Sequence, residues 1–122
     1  MILSPITVLV VEDEELLSEL MVDELKEVGF TVLKAASADE ALRLIESDTL
    51  IDVLFTDIRL PGELDGWDLA ERFRAKNRYG PVIYATAYPG GPVRRVTQSG
   101  FLPKPYLPSA IVAEIRRLSG PA

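Results

Sequence analysis

Five side chains carry most of the chemistry this sequence offers: the adjacent acids Glu12 and Asp13, a third acid Asp57, the hydroxyl of Thr86 and the amine of Lys104. The chain contains no histidine and no cysteine. That excludes disulfides, zinc sites built on His or Cys, Ser-His-Asp and Cys-His nucleophiles, and a phosphohistidine. Glu12-Asp13 closes the β-branched run Ile6 to Val11, and Asp57 closes Val53-Leu54-Phe55-Thr56. In an open parallel sheet all strand C-termini share one edge, and ligands bind there where the strand order reverses. With the first and third strands as neighbours, the three carboxylates converge. Like charges so close in a partly buried site need a cation, and a hard divalent ion with oxygen ligands, Mg2+ first, meets that need. The competing reading has each acid capping a turn or a helix.

Thr86 ends the run Pro81 to Thr86, and Lys104 stands in Pro103-Lys104-Pro105. Taken singly, Thr86 is an ordinary strand residue and Lys104 a solvated loop lysine. At one sheet edge they supply a hydroxyl donor and a cation. Those are the parts a phosphoryl group on Asp57 needs, because phosphoryl transfer is mostly positioning and charge stabilisation. The flanking prolines restrict Lys104, and X-Pro bonds are where cis peptides occur.

The elements that must position these groups alternate along the chain. Ile6 to Val11 reads as a strand buried on both faces. From Glu14 to Val28, the residues Leu17, Met21, Leu25 and Val28 fall on one helical stripe, and Gly29 sits where a C-cap glycine belongs. Thr31 to Ala35 is a second strand. Ser37-Ala38-Asp39-Glu40 carries a capping-box pattern before a helix whose apolar face is Ala38, Ala41, Leu42 and Ile45. Ile51 to Thr56 is a third strand and Gly66 to Lys76 a third helix, with Leu69, Ala70 and Phe73 inward. Pro81 to Thr86 and Phe101-Leu102 give two more strands. A last helix starts at Leu107-Pro108-Ser109 and buries Ile111, Val112, Ile115 and Leu118. The weak stretch is Pro89 to Gly100, which leaves only Val93 to Gln98 for a helix. Five strands alternating with four or five helices imply a parallel sheet with helices on both faces.

Composition sets the outer bounds. At 122 residues the length favours one domain, residues 1–122 with a core at about 6–119, able to bury roughly two-thirds of its unfolded surface. Hydrophobic residues at 48% exclude disorder. The net charge of -6 argues against nucleic acid or an anionic membrane as the main partner. The start has no basic n-region, and the longest apolar stretch is far too short to span a bilayer, so a cytoplasmic protein is expected.

On these residues the sequence resembles the receiver domain of two-component response regulators, from Val8 to about Leu118. The motifs that carry the resemblance are Val10-Val11-Glu12-Asp13-Glu14, Thr56-Asp57-Ile58-Arg59-Leu60-Pro61 with Asp65-Gly66, Tyr84-Ala85-Thr86-Ala87, and Phe101-Leu102-Pro103-Lys104-Pro105. The resemblance implies a flavodoxin-like, doubly wound five-stranded parallel sheet of order 2-1-3-4-5. It casts Asp57 as phosphoacceptor from a sensor histidine kinase or a histidine phosphotransfer protein. Mg2+, or Mn2+ in its place, would be held by Asp13, Asp57 and the backbone carbonyl of Arg59, with Glu12 acting through water. Thr86 would bond the phosphoryl oxygens, Lys104 would pair with them, and Phe101 would turn inward as Thr86 moves. That motion would reshape the face of the fourth helix, fifth strand and last helix toward a downstream protein. The chain would not be an enzyme beyond assisting its own phosphorylation and dephosphorylation.

The chain also departs from the family pattern. The loop Leu60 to Gly66 carries one extra residue, and Arg59 is bulky and cationic. We expect the Arg59 guanidinium to pair with Glu12 without metal and to screen the phosphoryl group from water. Thr86 and Lys104 are only 18 positions apart, so the fourth helix should be short or irregular and the stretch Pro89 to Gly100 mobile. Arg94, Arg95, Arg116 and Arg117 form either a basic partner patch or a solvated charged surface. Two rivals use the same residues: a Mg2+-dependent aspartyl-phosphate phosphatase of the haloacid dehalogenase type, which wants a second acid where Arg59 stands, and a phosphorylation-independent scaffold. No phosphate-binding glycine motif occurs. Both a stand-alone regulator and a receiver within a hybrid kinase fit the sequence.

Overall fold

The computed structural model describes residues 5–87 and 93–119. Nine elements follow in order: β1 (Thr7–Val11), α1 (Glu15–Val28), β2 (Thr31–Ala35), α2 (Ala38–Glu46), β3 (Val53–Asp57), α3 (Gly66–Lys76), β4 (Val82–Thr86), β5 (Ser99–Pro103) and α4 (Pro108–Ser119). The strands form one parallel sheet in the order β2-β1-β3-β4-β5. This is the flavodoxin-like architecture, with the order reversing between β1 and β3.

Strand parity divides the core into two layers. Val8 and Val10 of β1, with Val53 and Phe55 of β3, pack against Met21 and Leu25 of α1 and Ile111 and Ile115 of α4. Leu9, Val11 and Leu54 pack on the other face against Ala41 and Ile45 of α2 and Leu69 and Phe73 of α3. Side chains of this size contribute ~1.5–3 kcal/mol each when fully buried, so β1 and β3, apolar on both faces, anchor the sheet.

Local signals fix the helix ends. Gly29 takes a left-handed φ of 110°, and its N–H donates to the carbonyl of Lys26 at 3.0 Å while Phe30 donates to Leu25 at 3.1 Å. That turn redirects the apolar stripe. Phe30 packs toward the core while Val28, expected inside, is 43% exposed. Ser37 caps α2 by accepting from the Glu40 N–H. Asp65 and Asp68 form a reciprocal capping box at the start of α3.

Several strand boundaries differ from the sequence expectation: β1 begins at Thr7 rather than Ile6, β3 at Val53 rather than Ile51 and β4 at Val82 rather than Pro81. Asp57 is the last residue of β3 rather than the first beyond it, and β5 begins at Ser99, two residues early. Residues 93–98, the window left for a fourth helix, are irregular, so among the described residues four helices surround the sheet and none joins β4 to β5. Six residues with only Val93 and Val96 apolar are too few to offset helix nucleation. The expected output face is therefore built from this strap, β5 and α4. The rest of the stretch expected to be mobile, residues 89–92, lies outside the described residues.

Candidate phosphoacceptor and cation site

Strand register brings the acids to one edge. Val11 pairs with Thr56, so the next residues, Glu12 and Asp57, lie side by side where β1 and β3 end. Thr86 pairs with Pro103 across β4 and β5, which leaves Lys104 one step beyond. The Lys104 N–H donates to the Thr86 carbonyl at 2.8 Å, and its peptide bond to Pro105 is cis. Gly66 lets α3 approach this edge. A Cβ there would lie 2.1 Å from the Asp57 carbonyl oxygen, and the Gly66 N–H donates to the Ile58 carbonyl at 2.7 Å.

Glu12 and Asp57 are 2% and 4% exposed, Asp13 is exposed, and one oxygen of each carboxylate lies within 4.8 Å of the others. The Lys104 ammonium sits 2.9 Å from Asp57 Oδ1 and 3.3 Å from Glu12 Oε1. Glu12 Oε2 accepts from the Glu14 N–H at 3.0 Å. A cavity of about 80 Å3 is lined by Asp57, Arg59, Ala85, Thr86, Ala87 and Lys104. A second, of about 260 Å3, opens beside Glu12 and Asp13 toward β2. Glu12's cationic partner is Lys104. The Lys104 ammonium reaches both carboxylates from the adjoining strand end, and the Arg59 side chain is exposed.

The electrostatics follow from this crowding. Burial raises the Glu12 pKa to about 7, helped by the hydrogen bond and the charge of Asp57 and opposed by the Glu14 N–H and Lys104. Burial works to lower the Lys104 pKa, but the two carboxylates outweigh it and hold the ammonium above its ordinary value. Three acids facing one lysine leave an excess of negative charge on hard oxygen donors. That donor set suits Mg2+ or Mn2+ and offers nothing to a soft metal.

One side chain had no place in the sequence reading, and a ring cluster around Phe101 adds to it. The Tyr106 hydroxyl is buried without a hydrogen-bond partner among the described residues, and its ring meets Phe55 edge-on at 5.5 Å. Burial, then the charges of Glu12, Asp57 and Glu14, push its pKa up. Phe101 is half-buried and stacked on Tyr84 at 5.3 Å, with Trp67 4.6 Å from Tyr84. Tyr84 and Phe101 are register partners, so this cluster is legible once β4 and β5 are aligned. Of the four arginines, Arg94 pairs with Asp68 and Glu71, and Arg117 with Glu114.

Known proteins resemble this chain in sequence and fold. A cyclic di-GMP phosphodiesterase of Thermotoga maritima is 38% identical over 82 residues, 67% of this chain and 21% of that protein. A probable transcriptional regulator, ycf27, of Guillardia theta is 32% identical over 114 residues, 89% of this chain and 43% of that protein. The chain thus spans less than half the length of these curated relatives. The crystal structure of a response regulator receiver protein from Sinorhizobium medicae superposes with a TM-score of 0.85 at 27% identity, covering 94% of each chain. The family model of the response regulator receiver domain matches residues 8–116. With that match running from the first core strand into the last helix, the chain belongs to the response regulator receiver domains of two-component systems.

Proposed function

We propose that this domain is a phosphorylation-activated switch in which Asp57 accepts a phosphoryl group from a sensor histidine kinase or a histidine phosphotransfer protein. The observation that carries this reading is the Lys104 ammonium 2.9 Å from a nearly buried Asp57 carboxylate, at the mouth of a small cavity shared with Thr86. An Asp57 oxygen forms the new bond to phosphorus as the bond to the donor imidazole nitrogen breaks, and the imidazole departs with that electron pair. Lys104 stays as counter-charge to the phosphoryl oxygens, and the Thr86 hydroxyl donates to one of them. Glu12, Asp13 and Asp57, with the backbone carbonyl of Arg59, would hold Mg2+ or Mn2+, which supplies positive charge against the same oxygens.

The phosphoryl group adds negative charge and strong acceptors, which draw Thr86 and Lys104 toward position 57. Phe101, held between Tyr84 and the strap, answers that motion and passes it to the face of strap, β5 and α4, to which a downstream protein binds. Such a group shifts the two-state population by its differential interaction, typically ~1–3 kcal/mol. Hydrolase chemistry is disfavoured because exposed Arg59 stands where a second acid would serve as general acid and base.

Intact-mass analysis after incubation with Mg2+ and a small acyl phosphate tests the reading. One added phosphoryl group on wild type and none on Asp57→Ala is expected. Phosphate release without a phosphorylated species would favour the enzyme, and no reaction would favour the scaffold.

A further inference from the structure

Tyr106 stands two residues beyond Lys104 and shares with it a cavity of about 310 Å3, lined also by Glu14, Leu17 and Pro105. Its ring lies edge-on against Phe55 of β3, at 5.5 Å between centroids. The hydroxyl oxygen is buried and forms no hydrogen bond among the described residues. The charges that act on it are those of Glu12, then Asp57, then Glu14. A desolvated donor is unfavourable without an acceptor, and the charged acceptors acting on this one all lie at the site edge.

Glu12 is the acid whose partners change if Asp57 is phosphorylated. Its Oε1 takes the Lys104 ammonium at 3.3 Å, and its Oε2 takes the Glu14 N–H at 3.0 Å. The same ammonium is closer to Asp57, at 2.9 Å. A phosphoryl group there carries more negative charge than the carboxylate it replaces, so it draws the ammonium away from Glu12. That leaves Oε1 of a nearly buried carboxylate without its cation. We propose that Tyr106 is a positioning residue for phosphoryl transfer, its hydroxyl donating to Glu12 Oε1 as Lys104 turns to the phosphoryl group on Asp57. Glu12 then keeps a hydrogen bond on each oxygen, and Lys104 stays with the phosphoryl oxygens. The step exchanges one donor for another and neither makes nor breaks a covalent bond. It rests on the reading of Asp57 as phosphoacceptor.

Two measurements test it, the first without phosphoryl transfer. In Lys104→Met, where Glu12 has lost the ammonium outright, adding Tyr106→Phe is expected to lower the urea midpoint by about 0.5–1 M. Tyr106→Phe alone should leave the midpoint unchanged or slightly raised, and adding Glu12→Ala to the double variant and to Lys104→Met should abolish the difference between them. In the second measurement, Tyr106→Phe is incubated with Mg2+ and an acyl phosphate. Its Asp57 is expected to be labelled roughly five-fold more slowly than that of wild type. Equal midpoints of Lys104→Met with and without Tyr106→Phe overturn the proposal, as do equal labelling rates of Tyr106→Phe and wild type. If Lys104→Met does not fold, the labelling rates alone decide. Absence of label on wild type would overturn the phosphoacceptor reading, and with it the transfer role of Tyr106, even where the midpoints show the bond to Glu12.

Discussion

The Lys104 ammonium bridges Asp57 and Glu12, 2.9 Å from one and 3.3 Å from the other, so one cation ties the ends of β1, β3 and β5 together. Removing it leaves two nearly buried carboxylates facing each other. For Lys104→Met we expect a loss of about 1–3 kcal/mol without Mg2+, below the range for fully buried pairs because the lysine side chain is 25% exposed. Added Mg2+ should restore much of this by binding the folded state. Urea unfolding with and without Mg2+ measures both, and an unchanged midpoint would contradict the bridging role.

Glu12 makes the metal-free domain sensitive to pH. Its folded pKa of about 7 lies above the ordinary carboxyl value, so the folded state holds this proton more tightly than the unfolded one. The resulting stability is fully present below the ordinary value and is lost as pH rises through about 7. A metal ion needs the deprotonated carboxylate, so the Mg2+-induced rise in Tm should grow between about pH 6 and about pH 8. Thermal melts across that window check it, and Glu12→Gln should flatten the trend.

Gly66→Ala should destabilise the domain by about 1–3 kcal/mol, since the added methyl meets backbone that cannot swing aside. The strain falls on the Asp57–Ile58 peptide, so reactivity at Asp57 should drop as well. Chemical unfolding together with the rate of labelling by an acyl phosphate separates the two effects. A neutral substitution would mean that α3 can shift without cost.

Tyr106→Phe removes a buried hydroxyl without a partner among the described residues. Stability should be unchanged or raised by up to about 1 kcal/mol, because no hydrogen bond is lost and a desolvated donor is removed. A loss above about 1 kcal/mol in urea unfolding would reveal a partner for this hydroxyl, such as a fixed water.

Most of the architecture was legible in the sequence because it rests on strands apolar on both faces and on local helix signals. Val8 to Val11 and Val53 to Phe55 admit few alternatives, and Gly29 and Ser37 mark helix ends through their own backbone needs. The edge cluster was legible for the same reason, since parallel strand ends share an edge and the acids follow the strands. What escaped depends on contacts distant in sequence. Ser99 and Gly100 carry too little side chain to announce a strand. Arg94 and Arg95 read as solvent-facing charges until α3 supplies Asp68 and Glu71 and β5 supplies Phe101. That Lys104 reaches Glu12 as well as Asp57 follows only once the strand ends are assembled.

The phosphoacceptor assignment is tested most directly by locating the modified side chain. The domain is incubated with Mg2+ and an acyl phosphate, the labelled aspartate is trapped by borohydride reduction, and peptides are mapped by mass spectrometry. The reduced residue is expected at position 57 alone, with no label on Asp57→Asn. Label at Glu12, Asp13 or elsewhere, or equal labelling of the variant, would contradict the assignment of Asp57.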